Sequence, residues 1–430
     1  MEKLTLILLV AVFCSCTTQQ SNENNHTSNE QISAISPPLK GDFQNDTIFI
    51  LNPTKATTFE SPNGSSINIP ANAIVDENGN LVTENVKLSF TQYHSAADIL
   101  ASGIPMTYDS AGTTNNFESA GMFTINAKVN NKKVFVKEGE SMQVNLASDK
   151  EESFNFYELD EQNGHWTYEN SPEIPQLNNR FNPSRKPIKP EKASINAFVL
   201  DLNFDLSDYA ELSIFSGILW EYVGEEDSLD PRKNKWVSQT QFNDFNLEPT
   251  FDNAYEYFLT MSKGKKKFTT KVKAALQGED FENALTSFKV KKQEIADQID
   301  YLQKPFIRSV SIDGFGTYNY DFIYSMDDPE PIVADFNFPN YNKFKDKCLV
   351  FVVYPESDIV VNYPKNKWSN FGIDKSKDSK ILAVLPDNKI AVFNKDVSNC
   401  YGKKKYTFDM DVLPDKLGNK GDLERIIASL

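Results

Sequence analysis

Reactive side chains are scarce in this chain of 430 residues, which contains three histidines and four cysteines. No H-E-x-x-H, C-x-x-C, G-x-S-x-G or Walker loop occurs, which argues against a zinc hydrolase, a dithiol oxidoreductase, an α/β-hydrolase and a nucleotide-binding protein. No long apolar run follows residues 4–13, so the rest of the chain lacks the roughly 20 apolar residues of a membrane-spanning helix. We therefore expect no cofactor, and an enzymatic activity is less expected than a binding role.

Positive charge is also in short supply. The formal net charge is −16 and the sequence pI is about 4.8. A surface of this sign repels nucleic acids and anionic headgroups, so we expect no nucleic-acid partner.

The N-terminus carries the most specific signal. Lys3 precedes an apolar run from Leu4 to Phe13, and Ser15 stands directly before Cys16. This order predicts a lipoprotein signal peptide over residues 1–15, cleaved beside the small Ser15, and attachment of diacylglycerol to the Cys16 thiol through a thioether, with palmitate among the lipids that Cys16 carries. The alternatives are a plain secretory signal, a transmembrane anchor, or acylation at Cys14. We expect a cell-envelope protein held by lipid, in the outer membrane, with its periplasmic or surface face left open.

A polar segment follows the predicted anchor. From Thr17 to about Lys40 the chain is rich in Asn, Gln, Ser, Thr and Glu, and it has almost no apolar residues. Such a composition does not form a core, so residues 16–46 are predicted to be the lipid anchor and a disordered tether.

The remaining chain is predicted to be mainly β, with three β-rich, sandwich-like domains. Short runs of Val, Ile, Phe and Tyr alternate with turn pairs such as Asn63-Gly64 and Asn163-Gly164. The predicted domains are a β-sandwich over 47–170, an α+β domain over 194–304 and a β domain with a C-terminal helix over 305–430. A proline-rich stretch over 171–193 is predicted to be an extended linker.

Two helices are expected among these strands. Asp280 can cap an amphipathic helix in the second domain, whose apolar positions are Phe281, Leu285, Phe288, Ile295, Ile299 and Leu302. Asp422 can cap a C-terminal helix that places Leu423, Ile426, Ile427 and Leu430 on one buried stripe.

Only two cysteines remain after the signal and the lipid are accounted for. Cys348 and Cys400 could form a disulfide in an oxidising compartment, or they could be two separate buried thiols.

Three further patterns are candidates for binding. Asp76, Asn78 and Asn80 imitate the start of a calcium loop, but the glycine falls at the fourth position and Glu84 at the ninth, which favours a plain hairpin turn. The basic run from Lys263 to Lys273 could contact phosphates, or it could be the solvated face of a hairpin that protects a sheet edge. Trp220, Trp236 and Trp368 could stack on sugar rings, although large aromatic residues in β domains are usually core.

One segment of the first domain resembles a known family. The residues from Gly64 to Ile74, with Ile67, Ile69 and Pro70, followed by Val86 to Phe90, resemble the opening of the ZU-type β domain of ankyrins and netrin receptors. Asn72 stands where that pattern has glycine. The phrases 103–106 and 117–123, behind the signal, also resemble multi-domain envelope lipoproteins of Gram-negative bacteria that carry no assigned activity. These resemblances imply a β architecture and an envelope location.

The sequence therefore supports a non-enzymatic, lipid-anchored binding, adhesion or scaffold protein with an envelope protein or glycan as partner. The alternative is an envelope glycan hydrolase working through paired carboxylates, which need only meet in space and leave no sequence signature.

Overall fold

A computed structural model describes residues 34–430, except residues 42, 44–45, 111–112, 172–173, 183–184, 207–208, 251–252 and 254. The prediction of a mainly β protein with several antiparallel sheets and few helices is confirmed. The strands, in chain order, are β1 Asp46–Leu51, β2 Thr57–Glu60, β3 Ser66–Ile69, β4 Ile74–Val75, β5 Val86–Tyr93, β6 Thr107–Ser110, β7 Thr113–Val129, β8 Lys132–Lys133, β9 Phe135–Val136, β10 Met142–Ser148, β11 Asn155–Asp160, β12 His165–Asn170, β13 Gln176–Leu177, β14 Val199–Leu200, β15 Leu219–Tyr222, β16 Asp244–Pro249, β17 Glu256–Lys263, β18 Lys266–Ala275, β19 Phe306–Ile312, β20 Thr317–Tyr324, β21 Pro329–Asn337, β22 Leu349–Tyr354, β23 Ile359–Tyr363, β24 Phe371–Asp374, β25 Lys380–Leu385, β26 Lys389–Val392, β27 Lys405–Asp409 and β28 Asp411–Lys416. The α-helices are α1 Ala96–Ser102, α2 Ala210–Ser213, α3 Gly278–Leu302 and α4 Lys420–Ser429.

Two sheets form the first sandwich. One has the order β1-β5-β7-β20-β11-β12, with β6 and β8 also paired to β7, and the other has the order β13-β19-β10-β3-β2. Along β5, Val86, Leu88 and Phe90 are buried while Lys87 is exposed, which is the alternation of a strand with one face on a core. Phe123 of the first sheet and Val144 of the second share that core.

The segment that resembles a ZU-type opening has the geometry that its residues favour. Ile67, Ile69 and Ile74 are all buried in the sandwich core, and β3 ends at Ile69, directly before Pro70. Asn72 has a φ of 60°, so it fills the left-handed position that glycine would otherwise take.

The predicted boundary at residue 305 is wrong, because it falls inside this sandwich. β19 pairs with β10, and β20 is inserted between β7 and β11. Local alternation indicates strands at residues 306–312 and 317–324, but it does not show which distant strands they pair with.

Beyond residue 325 a second pair of sheets follows. One has the order β23-β22-β25-β26-β28, and the other has the order β24-β21-β27 with β21 and β27 parallel. Along β22, Val350 and Val352 face the core between these two sheets. Phe351 and Val353 face the other way, into a core shared with α1, α4 and the outer side of the first sandwich. The regions predicted as first and third domains therefore share a hydrophobic core.

The predicted tether is wrong for its described part. Leu39 and Phe43 are only 3% and 6% exposed, and both belong to the core shared with α1 and α4. The backbone N–H of Ala34 donates to the carbonyl of Glu161 at 2.8 Å, and that of Ser36 donates to Gly103 at 3.1 Å. A few apolar residues in an otherwise polar segment are enough to dock it.

The predicted linker over 171–193 is also docked in part. β13 pairs with β19, and Asn178 is 6% exposed. Its side-chain amide donates to the carbonyls of Asn63, at 2.9 Å, and Lys304, at 2.7 Å. Prolines keep the chain extended here, but the side chain of Asn178 ties it to Asn63 and to Lys304 by hydrogen bonds.

Residues 194–304 contribute a sheet of their own, in the order β14-β15-β18-β17-β16. Trp220, Leu259 and Val272 lie in its core. α3 buries Ala284 on this core, while its C-terminal half buries Ile295 and Ile299 against α2.

Both predicted helix caps are wrong by a few residues. α3 begins after Gln277, which makes no side-chain cap, and Asp280 lies in its first turn. For α4 the N-cap is Asn419, and Asp422 completes a capping box at the third helical position. The apolar stripe of α4 is buried as predicted at Leu423 and Ile427.

Candidate binding cleft

The sheet of residues 194–304 opens along one of its strand pairs. β14 pairs with β15 through Val199 opposite Glu221 and Leu200 opposite Trp220. The same register would next place residue 202 opposite 218 and residue 204 opposite 216. These pairs are not formed, and a cleft of about 620 Å³ lies where the two chain segments separate. This volume falls within the range of small-ligand sites.

Both walls of the cleft are extended or irregular chain. One wall is formed by residues 201–206 and the other by Ser213 and residues 215–218, with Trp220 at the floor. Leu202, Phe204 and Leu206 are half-buried against the sheet core, while Asp201 and Asn203 are exposed. This alternation gives the first wall the form of a strand without a neighbour.

Backbone hydrogen-bonding groups on both walls lack backbone partners. Among the described residues, no backbone hydrogen bond is made by residues 201–204 on one wall or by residues 216–218 on the other. Exposed N–H and C=O groups in a strand-like row are a template for pairing with another chain.

The floor of the cleft is rigid. Phe204 stacks on Trp220, with ring centroids 5.3 Å apart and an interplanar angle of 19°, and on Phe245 at 5.2 Å. Tyr257 packs its edge against Trp220 at 6.4 Å. Stacked aromatic rings of this kind hold an apolar surface in one arrangement.

A buried ion pair supports the helix beside the cleft. Glu211 of α2 is 1% exposed and binds Arg185 at 3.0 Å, and the Tyr257 hydroxyl donates to the same carboxylate at 3.2 Å. Burial and the adjacent Glu211 charge raise the pKa of Tyr257 well above its usual range, so the hydroxyl keeps its proton and remains a donor.

The three predicted sugar-stacking tryptophans are not brought together. Trp220 is 1% exposed beneath Phe204, and Trp368 is 5% exposed with its indole N–H donating to the carbonyl of Tyr363. Trp236 alone of the three has an accessible face, with 36% exposure. The structure therefore gives Trp220 and Trp368 a core role, and no joint platform exists among these residues.

The predicted disulfide is not formed. Cys348 and Cys400 are both buried free thiols, and each sulfur is used locally, Cys348 toward the carbonyl of Phe344 and Cys400 toward that of Val397. Burial raises the pKa of each thiol to about 11, so both stay protonated and unreactive. The predicted lipidation site, Cys16, lies outside the described residues.

The calcium-like loop is a turn. One carboxylate oxygen of Asp76 accepts from the backbone N–H groups of Asn78 and Asn80, each at 2.9 Å, and Gly79 takes a φ of 80°. These hydrogen bonds, led by the one from Asn80, lower the pKa of Asp76. Within residues 34–430 as described, no group of three or more His, Cys, Asp or Glu residues could hold a metal ion.

Acidic residues in the cleft do not form a close pair. Asp201 and Asp205 lie four residues apart on an extended wall, which separates them by about 13 Å at 3.3 Å per residue. Glycosidase carboxylates are about 5–10 Å apart. We therefore do not expect these two residues to act as a glycosidase pair, and the glycan-hydrolase alternative stays a prediction.

Two acids that sequence analysis missed, one fully buried and one half-buried, lie away from the cleft. Asp321 is 0% exposed and accepts from the Asn319 amide, while its second oxygen has no hydrogen-bond partner. Burial raises its pKa well above the usual range. Asp358 follows β22, and burial raises its pKa to about 7. Nothing in the local sequence marks either residue, because burial depends on strands that are distant along the chain.

His94 has a structural role. His94 Nε2 lies 3.1 Å from the Gln92 side-chain oxygen, and its ring packs edge-on against Tyr301 at 5.7 Å. Burial and the nearby Lys304 cation lower the pKa of His94 to about 3, so the ring stays neutral.

No family model, no curated protein and no solved structure matches this chain. Among the described residues, no helix combines the length and apolarity needed to cross a membrane.

Proposed function

We propose that this chain is a non-enzymatic, lipid-anchored binding protein of the cell envelope, and that its cleft binds an extended segment of a partner polypeptide. The partner chain lies between the two walls and pairs with their free backbone groups. Main-chain hydrogen bonds supply affinity in this mode of recognition, and pockets for alternate side chains supply specificity.

The observation that carries the proposal is the interrupted ladder between β14 and β15. The two segments leave the β14–β15 register, and among the described residues, 201–204 and 216–218 form no new backbone hydrogen bonds. Unpaired N–H and C=O groups are costly when they are buried, so a ligand or water that fills the gap would supply their hydrogen bonds. A cleft bounded by backbone on both sides suits a backbone ligand better than a compact sugar or nucleotide.

The lining also defines the chemistry of the partner. Phe204, Phe215 and Ile218 offer apolar contacts, Asp201 is exposed and acidic, and the lining contains no lysine or arginine. We therefore expect an extended segment that alternates apolar and basic side chains.

Lipidation at Cys16 would hold this cleft at a membrane, in the outer membrane by our proposal. Two or three acyl chains on one residue anchor a protein stably, whereas a single chain binds only marginally. Metabolic labelling with a palmitate analogue should label the wild-type protein and not a Cys16→Ala variant. A label retained by Cys16→Ala would contradict the anchor.

The cleft is tested with a random 12-residue phage-displayed peptide library panned on the purified protein. Enriched peptides should lose at least about tenfold in affinity for a Ser216→Trp variant, whose indole fills the gap. The matched control is Ser369→Trp, which adds the same side chain at an exposed serine outside the cleft. Peptides that bind both variants equally would refute the site.

Backbone pairing is then separated from side-chain binding. Synthetic versions of one enriched peptide are methylated at successive backbone nitrogens, which removes one donor at a time. Strand addition between two walls predicts that methylation at each nitrogen within the cleft weakens binding, because successive N–H groups point to opposite walls and each finds an acceptor there. Uniform tolerance of methylation would show that the peptide binds through side chains only.

A further inference from the structure

The hairpin between β17 and β18 ends in a concentrated positive charge. Lys263, Lys265, Lys266 and Lys267, here called the lysine tip, are all exposed around a turn at Gly264. The chain as a whole has a net charge of −16, so this tip is an exception to its surface.

The lysine tip forms no ion pair within the part of the chain that the structure describes. Lower on the same hairpin, Lys271 pairs with Glu256 at 2.5 Å and Lys273 pairs with Glu191 at 3.2 Å. None of the four tip lysines forms an ion pair with a described residue, and Lys263 stands directly opposite Lys266 in the ladder. Like charges in facing positions destabilise a hairpin, so this arrangement has a cost within the isolated protein.

Protection of a sheet edge explains only part of the charge. β17 pairs with β16 on one side and with β18 on the other, while β15 pairs with β18 only over residues 272–275. Lys266 and Lys267 therefore lie on a stretch of β18 that has no described strand on one side, whereas Lys263 and Lys265 flank the turn at Gly264.

An exposed tryptophan lies beside the lysine tip. Trp236 packs edge-on against Phe268, at 5.7 Å, and Phe268 is the residue that follows Lys267. Trp236 is 36% exposed, and its neighbour Lys235 is exposed and has no ion pair among the described residues. Tryptophan next to lysine is the combination that favours the boundary between water and lipid headgroups.

We propose that the lysine tip and Trp236 dock this protein onto the anionic lipid headgroups of a membrane. The site is independent of the peptide cleft, and for its location near a bilayer it rests on the proposed lipid anchor at Cys16. The general acidity of the chain opposes docking only weakly, because charges farther away than the Debye length of about 8 Å are screened. Asp244, opposite Ser262 in the ladder, is the acidic residue that the ladder places beside the tip.

The test uses the mature chain from residue 16 with Cys16→Ser, so that no acyl chain contributes to binding. Cosedimentation compares phosphatidylcholine vesicles with vesicles that also contain phosphatidylglycerol, at low and high salt. We expect binding only to the anionic vesicles, and its loss at high salt. Each lysine near an anionic surface contributes about fivefold in partitioning. The combined variant Lys265→Gln, Lys266→Gln and Lys267→Gln should therefore lose at least about tenfold.

A charge-matched control removes three lysines elsewhere. Lys289, Lys291 and Lys292 on α3 are also exposed and without ion pairs among the described residues. Their combined change to Gln alters the net charge equally and should cost less than about threefold. Equal losses in both variants would overturn the docking site, as would no binding of the parent chain to anionic vesicles.

Tryptophan fluorescence supplies a readout that does not depend on the lysine variants. Trp166, Trp220 and Trp368 are at most 6% exposed, so quenching by brominated lipids reports on Trp236. Quenching should occur on anionic vesicles and disappear in Trp236→Phe. Unquenched fluorescence in the bound protein would refute the orientation. Competition by inorganic phosphate at constant ionic strength would show that the tip binds free anions instead of a bilayer.

Discussion

Replacing Asp358 by asparagine should stabilise this protein at neutral and alkaline pH. Asp358 takes a φ of 51°, a left-handed conformation that asparagine adopts readily. Its side chain is only 20% exposed, and its one ion pair, to Lys150, is long at 3.7 Å. Burial raises the pKa of this carboxyl to about 7 from an ordinary value of 3.8, with Asp149 raising it further and Lys150 and Lys304 opposing the shift.

The sign and size of the effect follow from proton binding. Between pH 4 and pH 7 the unfolded chain releases a proton that the folded chain retains, so native stability falls as the pH rises. A shift of about three units at about 1.4 kcal/mol each sets an upper limit near 4 kcal/mol above pH 7. Partial exposure and the lost contact with Lys150 reduce the expected gain to about 2 kcal/mol. For about 400 residues this corresponds to a rise in Tm of about 2–3 °C.

Thermal unfolding of Asp358→Asn and wild type should be compared at several values between pH 4 and pH 8. The gain should be largest at pH 8 and should shrink to a small fraction of that at pH 4, where the carboxyl is protonated in the folded chain and about two-fifths protonated in the unfolded chain. Asp387 is the matched control, because it has a φ of 65° but is exposed. Asp387→Asn makes the same chemical change at an exposed position and should change Tm less than Asp358→Asn does at pH 8. A gain for Asp358→Asn that does not vary with pH would refute the assignment.

Three further substitutions test two buried acids and one helix cap. Asp321→Asn should raise the free energy of unfolding at pH 7. Because burial raises the pKa of Asp321, the wild type should lose up to about 1.4 kcal/mol of stability per pH unit as the pH rises, and the variant should not. A chemical-denaturation series over pH measures this slope, and an unchanged slope would contradict the burial. Asp374→Asn should cost about 2–3 kcal/mol of unfolding free energy at pH 7, because hydrogen bonds from Ser376, Tyr324 and Asp327 outweigh burial and hold the pKa of Asp374 below its usual range. Only the wild type should lose this contribution on acidification, so equal acid sensitivity of wild type and variant would refute the role. Asn419→Ala should cost about 1 kcal/mol through loss of the capping box of α4, whereas no change in unfolding free energy would show that α4 is held by its apolar stripe alone.

Local sequence patterns predicted strands far better than they predicted partners. Residues 86–93 and 306–312 both alternate apolar and polar side chains, and both form strands in the structure. Their alternation, however, says nothing about whether 306–312 pairs with the next strand or with residues 142–148. The false boundary at residue 305 came from this limit.

The candidate cleft could not be predicted for a related reason. Trp220 was a candidate for stacking on sugar rings, but its burial is set by Phe204, which stacks on its ring from a segment with no regular structure. The gap itself is the failure of two segments to pair. A sequence pattern can suggest that a strand forms, whereas it contains little sign of where a ladder stops.

The position of β20 has a consequence for the order in which the protein is made. This strand lies between β7 and β11, so the two halves of the largest sheet are joined only by residues 317–324. During synthesis, β1 to β12 leave the ribosome well before β20, the strand that connects β7 and β11. Until then β7 and β11 would each display an open edge, the kind of surface on which nascent chains aggregate. A protein built this way should depend on a holding chaperone during synthesis, and truncation before residue 317 should release an aggregation-prone product and not a smaller stable domain.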